Sequence, residues 1–160
     1  MEESTFNALY AATAKPLWRY VARVSGRHDI ADDVLQEAFF RFLRSARTGL
    51  PDVDARLYLF RIATNLLNDR WRRGDDVAGL EGEVPVRETH LDMALDAARV
   101  LQRLKPRARE LLWLAYVEGM SHREIAQATG LNTMSVRVLL LRARRQARAH
   151  LEPKGQTDGL

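Results

Sequence analysis

The segment from residue 121 to residue 136, SHREIAQATGLNTMSV, constrains the fold more than any other part of the chain. Ser121 followed three residues later by Glu124 predicts a capping box, and hence a helix that starts here. Gly130 can supply the positive φ that a tight turn needs, and Val136 can pack a second helix onto the first. This spacing is typical of a helix-turn-helix, and a generic helical hairpin is the alternative.

The second helix of this motif discriminates between the two alternatives. Asn132 or Thr133 can cap it, and helical spacing continues to about residue 151. Between residues 133 and 151 the chain has five arginines and no acidic residue, whereas a surface helix usually mixes charges. The residues predicted to face the core are Val136, Leu140, Ala143 and Ala147. The arginines then face outward, as expected of a helix that binds the phosphates of nucleic acid.

Three apolar residues of the same helix are also expected to face outward. They are Met134, Val138 and Leu141. Two interpretations stay open for them: contact with thymine methyl groups of a DNA site, or packing against another part of the protein.

Charge is segregated along the chain, although the net charge is only +4. Residues 1–73 have 12 basic and 9 acidic residues, residues 74–98 have 1 and 7, and residues 99–160 have 12 and 5. Two basic blocks that flank an acidic spacer are typical of a polyanion-binding protein, and solvated surface charge is the alternative. Helical spacing recurs in both blocks and no stretch alternates as strands do. We therefore expect an all-α fold of two small helical domains joined by a flexible acidic linker.

The N-terminal block contains a polar patch on an otherwise apolar helix, which is predicted to start near Asp29. Asp33, Gln36 and Glu37 follow the spacing i, i+3 and i+4, which places them on one side of the helix. Nothing nearby supplies a nucleophile or metal ligands, so the patch does not indicate catalysis. A solvated helix face is the alternative to a binding surface.

The third predicted helix, from about residue 54 to residue 73, interleaves aromatic residues with arginines. The aromatic residues are Tyr58, Phe60 and Trp71, and the arginines are Arg56, Arg61, Arg70, Arg72 and Arg73. Arginines beside stacking aromatics fit the recognition of single-stranded or flipped bases. At least one of the aromatics is expected to be a core residue instead.

Several classes of function are disfavoured by what the sequence lacks. Cysteine is absent, which excludes disulfides and thiolate metal sites. No apolar run approaches the roughly 20 residues needed to span a bilayer, and the acidic N-terminus lacks a secretory signal, so a cytoplasmic protein without a membrane partner is predicted. The four histidines lie far apart in the sequence, which argues against a metal enzyme.

Together these residues resemble the sigma-70 family of bacterial RNA polymerase sigma factors, in particular the small extracytoplasmic-function (ECF) group. Residues 33–39, DVLQEAF, resemble region 2.2, and residues 57–66, LYLFRIATNL, resemble regions 2.3 and 2.4. Residues 119–151 resemble region 4.2. The similarity covers most of residues 6–73 and 95–151, in the order found in the family.

The resemblance implies a region 2 domain that docks on the clamp helices of the largest polymerase subunit, melts the promoter and captures unpaired minus-ten bases. It also implies a region 4 domain that reads the minus-thirty-five element in the major groove and contacts the polymerase flap. The expected boundaries are 1–73 for region 2, 74–90 for the linker, 91–152 for region 4 and 153–160 for a tail. The expected polymerase contacts are Asp33, Gln36 and Glu37. The expected minus-ten contacts are Tyr58, Arg61, Asn65, Asn68, Asp69 and Arg72. The expected minus-thirty-five contacts are Ser135, Arg137, Val138, Leu141, Arg142, Arg144 and Arg145.

The implied function is that of a promoter-specificity subunit, which is not an enzyme and needs no cofactor. The implied partners are core RNA polymerase and promoter DNA, with an anti-sigma factor as a further candidate. The chain departs from the family pattern in three places: residues 138–141 are apolar where many members have polar DNA contacts, Thr64 replaces a frequent arginine, and the loop of residues 48–54 is short. The alternative is a stand-alone helix-turn-helix regulator with an N-terminal helical sensing domain. That alternative leaves the polar patch and the arginine-rich third helix without a role.

Overall fold

The computed structural model describes residues 1–74 and 99–151, and every regular element in these two stretches is helical. The first stretch forms three helices, α1 (Glu3–Ser25), α2 (His28–Arg44) and α3 (Asp52–Arg72). They pack on one another as a bundle, the α1–α3 bundle, because each has an apolar stripe. The largest fully buried side chains of this bundle are Leu17, Tyr20, Ile30, Phe42, Leu59, Phe60 and Leu67.

The second stretch starts with the helical residues 99–103 and continues with three labelled helices. These are α4 (Pro106–Leu112), α5 (His122–Thr129) and α6 (Thr133–Leu151). Pro106 lies in the first turn of α4, where its missing N–H costs no hydrogen bond. α4 continues into a π-helical turn, Trp113–Val117. We call α4 to α6, with this turn, the helix-turn-helix unit.

The two stretches do not stand apart, because α3 packs along α5 and α1 packs against α4. Their buried side chains form one connected apolar cluster, to which Leu111, Leu114, Ile125 and Leu140 contribute from the second stretch. The α1–α3 bundle and the helix-turn-helix unit therefore form one closed body.

The structure confirms the all-α fold with two helical regions and shifts some element boundaries. α2 starts at His28, and Asp29 lies in its first turn, where it is paired with Arg27 rather than capping the helix. α1 continues through Pro16, and α3 starts at Asp52, where an acidic first turn favours a helix N-terminus. The predicted linker, residues 74–90, lies outside the described residues except for Gly74.

Over residues 1–74 and 99–151, no helix is both long enough and apolar enough to cross a bilayer.

Candidate nucleic-acid interface

The helix-turn-helix is built by local interactions that its sequence specifies. The Ser121 Oγ accepts a hydrogen bond from the Glu124 backbone N–H at 3.1 Å, and the Glu124 carboxylate accepts from the Ser121 N–H at 3.0 Å. Gly130 ends α5 with a φ of 80°. Asn132 then caps α6, since its Oδ1 accepts from the Ser135 N–H at 2.8 Å. The capping box, the turn and the second helix are thus where the sequence predicts them.

α6 presents an arginine face to solvent and an apolar face to the core. Val136, Leu140 and Ala143 are buried against the rest of the unit. The arginines of α6 are all exposed: Arg137, Arg142, Arg144, Arg145 and Arg148. Their positive charge is not offset by any acidic side chain of the helix, which leaves a surface suited to polyanion binding.

Three apolar side chains extend the exposed face of α6. Met134 is 67% exposed, Val138 41% and Leu141 46%. The structure therefore does not bury these three side chains against another described part of the protein, which was one of the two interpretations left open by the sequence. Ser135, the remaining predicted contact, is half-buried at the start of the helix.

The predicted minus-ten residues of α3 form one stripe along the helix. At about 100° per residue, Tyr58, Arg61, Asn65, Asn68, Asp69 and Arg72 fall within an arc of about 100°. Asn65, Asp69 and Arg72 are exposed, whereas Tyr58, Arg61 and Asn68 are half-buried. The structure thus brings the six residues onto one side of α3.

Two residues of this stripe are held by other parts of the protein. The Tyr58 ring packs against Phe42, and the Arg47 guanidinium lies 4.9 Å from its centre. Arg61 points toward the helix-turn-helix unit, where its Nη1 donates to the Gln127 carbonyl at 3.1 Å. Phe60, by contrast, is fully buried, which confirms the prediction that at least one of the three aromatics is a core residue.

Thr64, the departure from the family pattern, is fully buried. Its hydroxyl and the Tyr20 hydroxyl lie 2.8 Å apart and share a hydrogen bond. An arginine at this position would have to bury its charge, so the threonine fits the closed body better.

The polar patch of α2 lines a cleft of about 370 Å³ between α2 and α3. Asp33 and Gln36 are exposed and Glu37 is half-buried, so all three can contact a partner. Arg70 of α3 lies 3.4 Å from Asp33, and Arg41 lies 2.9 Å from Glu37. The cleft therefore offers fixed charges of both signs rather than an acidic patch alone.

The arginines of this cleft are not predicted by the sequence pattern. The pattern groups Arg70 and Arg73 with the DNA-binding arginines of α3, but both line the cleft instead. Their positions on the helix, about 120–180° from Arg61, are the signal that could have separated them.

A buried carboxyl, Glu110 of α4, was also not singled out from the sequence. The side chain is fully buried, and among its oxygens only Oε2 has a hydrogen-bond donor, the Arg107 guanidinium at 3.0 Å. Burial away from water raises the pKa of Glu110 to about 8, and Arg107 offsets only part of this. The pKa of Tyr20 on α1 is also raised, mainly by burial and next by Glu110. The two groups meet where α1 packs on α4.

The buried Glu110 should make folding stability depend on pH. Below the ordinary pKa of 4.5 the carboxyl is protonated in both the folded and the unfolded protein. Between pH 4.5 and about pH 8 it stays protonated in the folded protein and loses its proton in the unfolded protein. The free energy of unfolding should therefore fall by on the order of 1 kcal/mol per pH unit across this window. Glu110→Gln should remove this dependence and exceed the wild type in stability at pH 8. Urea unfolding at pH 5.5 and pH 8, with Glu2→Gln as the exposed control, measures both; parallel pH slopes for all three proteins would contradict it.

Comparison with known proteins identifies both stretches. The family model of Sigma-70 region 2 matches residues 9–76. The family model of Sigma-70 region 4 matches residues 94–146. The chain is 31% identical over 166 residues to the ECF RNA polymerase sigma factor SigL of Mycobacterium tuberculosis, covering 98% of this chain and 94% of that protein. It is 30% identical over 161 residues to the ECF RNA polymerase sigma factor SigE of Mycolicibacterium smegmatis, covering 92% of this chain and 62% of that protein.

A solved structure shares the fold. The sigma factor RpoE from Bartonella quintana, crystallised in complex with the anti-sigma factor NepR, superposes with a TM-score of 0.74 at 21% identity. The match covers 93% of this chain and 98% of that chain. Because both family regions are present in order, a stand-alone helix-turn-helix regulator is not favoured. The chain belongs to the sigma-70 family, as an ECF RNA polymerase sigma factor that acts with core polymerase and promoter DNA in transcription initiation.

Proposed function

We propose that the chain binds its partners through three surfaces. The α2–α3 cleft binds core polymerase, the α3 stripe binds the minus-ten element, and the exposed face of α6 binds the minus-thirty-five element. The observation that carries this proposal is the division of α3. Its stripe and its cleft-lining residues, Leu66, Arg70 and Arg73, occupy different sides of one helix. A single rigid helix would thereby couple polymerase binding to DNA capture. We assign these tasks to a region 2 domain, residues 1–73, and a region 4 domain, residues 91–152.

The cleft supports polymerase binding by its chemistry. Asp33, Gln36 and Glu37 offer carboxylate and amide groups at its rim, and the neighbouring arginines hold two of them in place. Binding of the full chain to core polymerase without DNA tests this assignment. Absence of binding would favour a protein that acts on DNA alone.

The stripe on α3 supports the capture of unpaired bases. Asparagine side chains at Asn65 and Asn68 can bond the edges of unpaired bases, and Tyr58 can stack on them. Arg72 is exposed and can bind the phosphates of the same strand. This combination suits single strands better than duplex DNA.

The face of α6 supports major-groove binding near the start of the helix. Arg137 lies in its first turns, where side chains reach base edges, whereas Arg144 and Arg145 lie further along, toward the DNA backbone. Val138 and Leu141 replace polar contacts and can pack on thymine methyl groups. Ser135 and Arg142 complete the proposed contact surface.

The two ends of this face should respond differently to substitution. Arg137→Ala should relax sequence preference at one or two minus-thirty-five positions and cost about 1–3 kcal/mol. Arg145→Ala should weaken binding nearly evenly across sequences and reduce the salt slope by about one unit. Promoter-library selections with both variants at matched salt measure the difference. Uniform loss with unchanged base preference for Arg137→Ala would assign that side chain to the DNA backbone.

Three further assignments complete the proposal. An anti-sigma factor is a candidate partner, because the structurally similar RpoE was solved with one. The chain acts in the cytoplasm, where polymerase and promoters are. It is a regulatory DNA-binding subunit, and we assign it neither a catalytic site nor a cofactor.

A further inference from the structure

The exposed face of α6 has its large apolar side chains in one line. At about 100° per residue, Met134, Val138 and Leu141 fall within an arc of about 60°. All three are exposed, although the apolar residues of a helix normally face the core. The arc lies opposite the buried side of α6, which contains Val136 and Ala143. We call Met134, Val138 and Leu141 the apolar stripe.

Arginines lie on both sides of the apolar stripe. Arg137 and Arg144 lie about 60–80° from its centre on one side, and Arg142 lies about 80° from it on the other. Two further arginines, Arg145 and Arg148, continue the line of the stripe toward the end of the helix. All five are exposed, and α6 has no acidic residue to neutralise them. The stripe is thus the outermost, central part of a positively charged face.

This arrangement matches the cross-section of the major groove of DNA. A helix in the groove turns its outermost side to the groove floor, where the base edges lie, and its flanks to the two phosphate walls. Arg142 and Arg144, on opposite flanks, can then bind phosphates of the two strands. Charge complementarity therefore favours DNA as the occupant of this face over a second copy of the chain, because two arginine faces repel each other.

The chemistry of the apolar stripe restricts what it can recognise on the groove floor. The side chains of Val138 and Leu141 have no hydrogen-bonding group, and the Met134 sulfur is only a weak acceptor. Base donors and acceptors beside them lose bonds to water and gain none in return. The apolar group that a base pair presents in the major groove is the C5 methyl of a pyrimidine. Burial of one such methyl corresponds to about a fourfold gain in affinity.

The length of the stripe sets how many base pairs it can contact. Met134 and Leu141 are seven positions apart, which is about 10 Å along the helix and corresponds to about three base-pair steps. Methyl groups on neighbouring base pairs can therefore be contacted together.

We propose that α6 selects its minus-thirty-five element by C5 methyl groups of pyrimidines at the positions that face the apolar stripe, whichever pyrimidine has them. The inference rests on the proposed role of α6 and deepens it by naming the group that is recognised. Since the stripe contacts the methyl and forms no hydrogen bond with the base, 5-methylcytosine can replace thymine at these positions, whereas uracil and cytosine bind weakly. A promoter of this chain therefore gains strength when a cytosine that faces the stripe is methylated.

The test compares DNA probes that differ only in one methyl group. The promoter-library selections with the wild type supply the preferred minus-thirty-five element. Synthetic probes of this element then have thymine, uracil, 5-methylcytosine or cytosine at one position at a time, each with its matching purine. All probes are unpaired beforehand at the minus-ten element, so that melting does not contribute. They compete for the complex of the full chain with core polymerase.

The expected result is a methyl effect that does not depend on the base. At each position that faces the stripe, binding should weaken about threefold to fivefold from thymine to uracil, and equally from 5-methylcytosine to cytosine. Val138→Ala and Leu141→Ala should each reduce this effect at one position and leave it unchanged elsewhere, as a double-mutant cycle between side chain and methyl reports. Both positions are exposed, so circular dichroism should show unchanged helicity.

Leu151→Ala is the matched control for these variants. Leu151 is also an exposed apolar residue of α6, but it lies at the end of the helix and about 140° from Val138. This variant should keep every methyl effect of the wild type.

Two outcomes would overturn the proposal. One is equal affinity for methylated and unmethylated probes at every position of the element, and the other is a preferred element without thymine. Dimerisation of the free chain alongside either outcome would instead assign the apolar stripe to a contact between copies. Selections that give no preferred element would contradict the proposed function of α6, whereas a clear preferred element that is insensitive to methyl groups would contradict this inference alone.

Discussion

Simultaneous replacement of Asp33, Gln36 and Glu37 by alanine should weaken binding to core polymerase at least about tenfold. Truncation of these side chains leaves the polymerase groups that they contact unpaired in the interface. The same change should barely affect folding. Asp33 and Gln36 are exposed and Glu37 is half-buried, and substitutions at such surface positions usually change stability by about 0.5 kcal/mol or less each. Equilibrium binding of the labelled full chain to core polymerase, without DNA, is the measurement.

The chain offers a matched control for this triple variant. Glu2, Glu3 and Asn7 also comprise two acids and one amide, at exposed positions at the start of α1, and their replacement by alanine should leave polymerase binding unchanged. Circular dichroism should give the same helicity for both variants. Wild-type affinity in the first triple variant would show that the α2–α3 cleft is not the polymerase contact.

Promoter DNA that is already unpaired at the minus-ten element should bind the complex of chain and polymerase about 10- to 100-fold more tightly than the same duplex. Extruding stacked, paired bases costs a few kcal/mol, and this cost is removed when the bases are unpaired beforehand. The α3 stripe offers amide, aromatic and arginine groups, which bind bases that are out of the stack.

Competition binding with a probe mismatched at the minus-ten element measures this preference, and a probe mismatched by the same number of bases upstream is the control. The combined change of Asn65 and Asn68 to alanine should reduce the preference, since it removes the groups that bond the base edges. Equal affinity for duplex and pre-melted probes would show that the α3 stripe does not recognise unpaired bases.

The helix-turn-helix could be predicted from the sequence because its determinants are local. The Ser121–Glu124 capping box, the Gly130 turn and the Asn132 cap each depend on residues no more than four positions apart. Helix signals of this kind act wherever the segment is placed. The arginine face of α6 could be predicted in the same way, because helical periodicity places its core positions and its exposed positions on opposite faces.

The cleft and the closed body could not be predicted in this way, because their contacts join distant parts of the chain. Asp33 and Arg70 are 37 positions apart, and Arg56 and Glu118 are 62 apart. Helical periodicity places Arg70 on a side of α3, but only packing against α2 shows that this side lines a cleft. The burial of Glu110 likewise depends on how α1 meets α4, which no local pattern specifies.

In vitro transcription with purified core polymerase on genomic fragments, with start sites mapped, shows whether the chain directs initiation at specific promoters. Starts are expected to require both the chain and polymerase, and to lie at a fixed distance downstream of one shared pair of sequence elements. The Asp33, Gln36 and Glu37 triple variant is expected to lose these starts, whereas the Glu2, Glu3 and Asn7 control is expected to retain them. Starts that appear with polymerase alone, or a chain that binds the fragments but never directs initiation, would contradict this role.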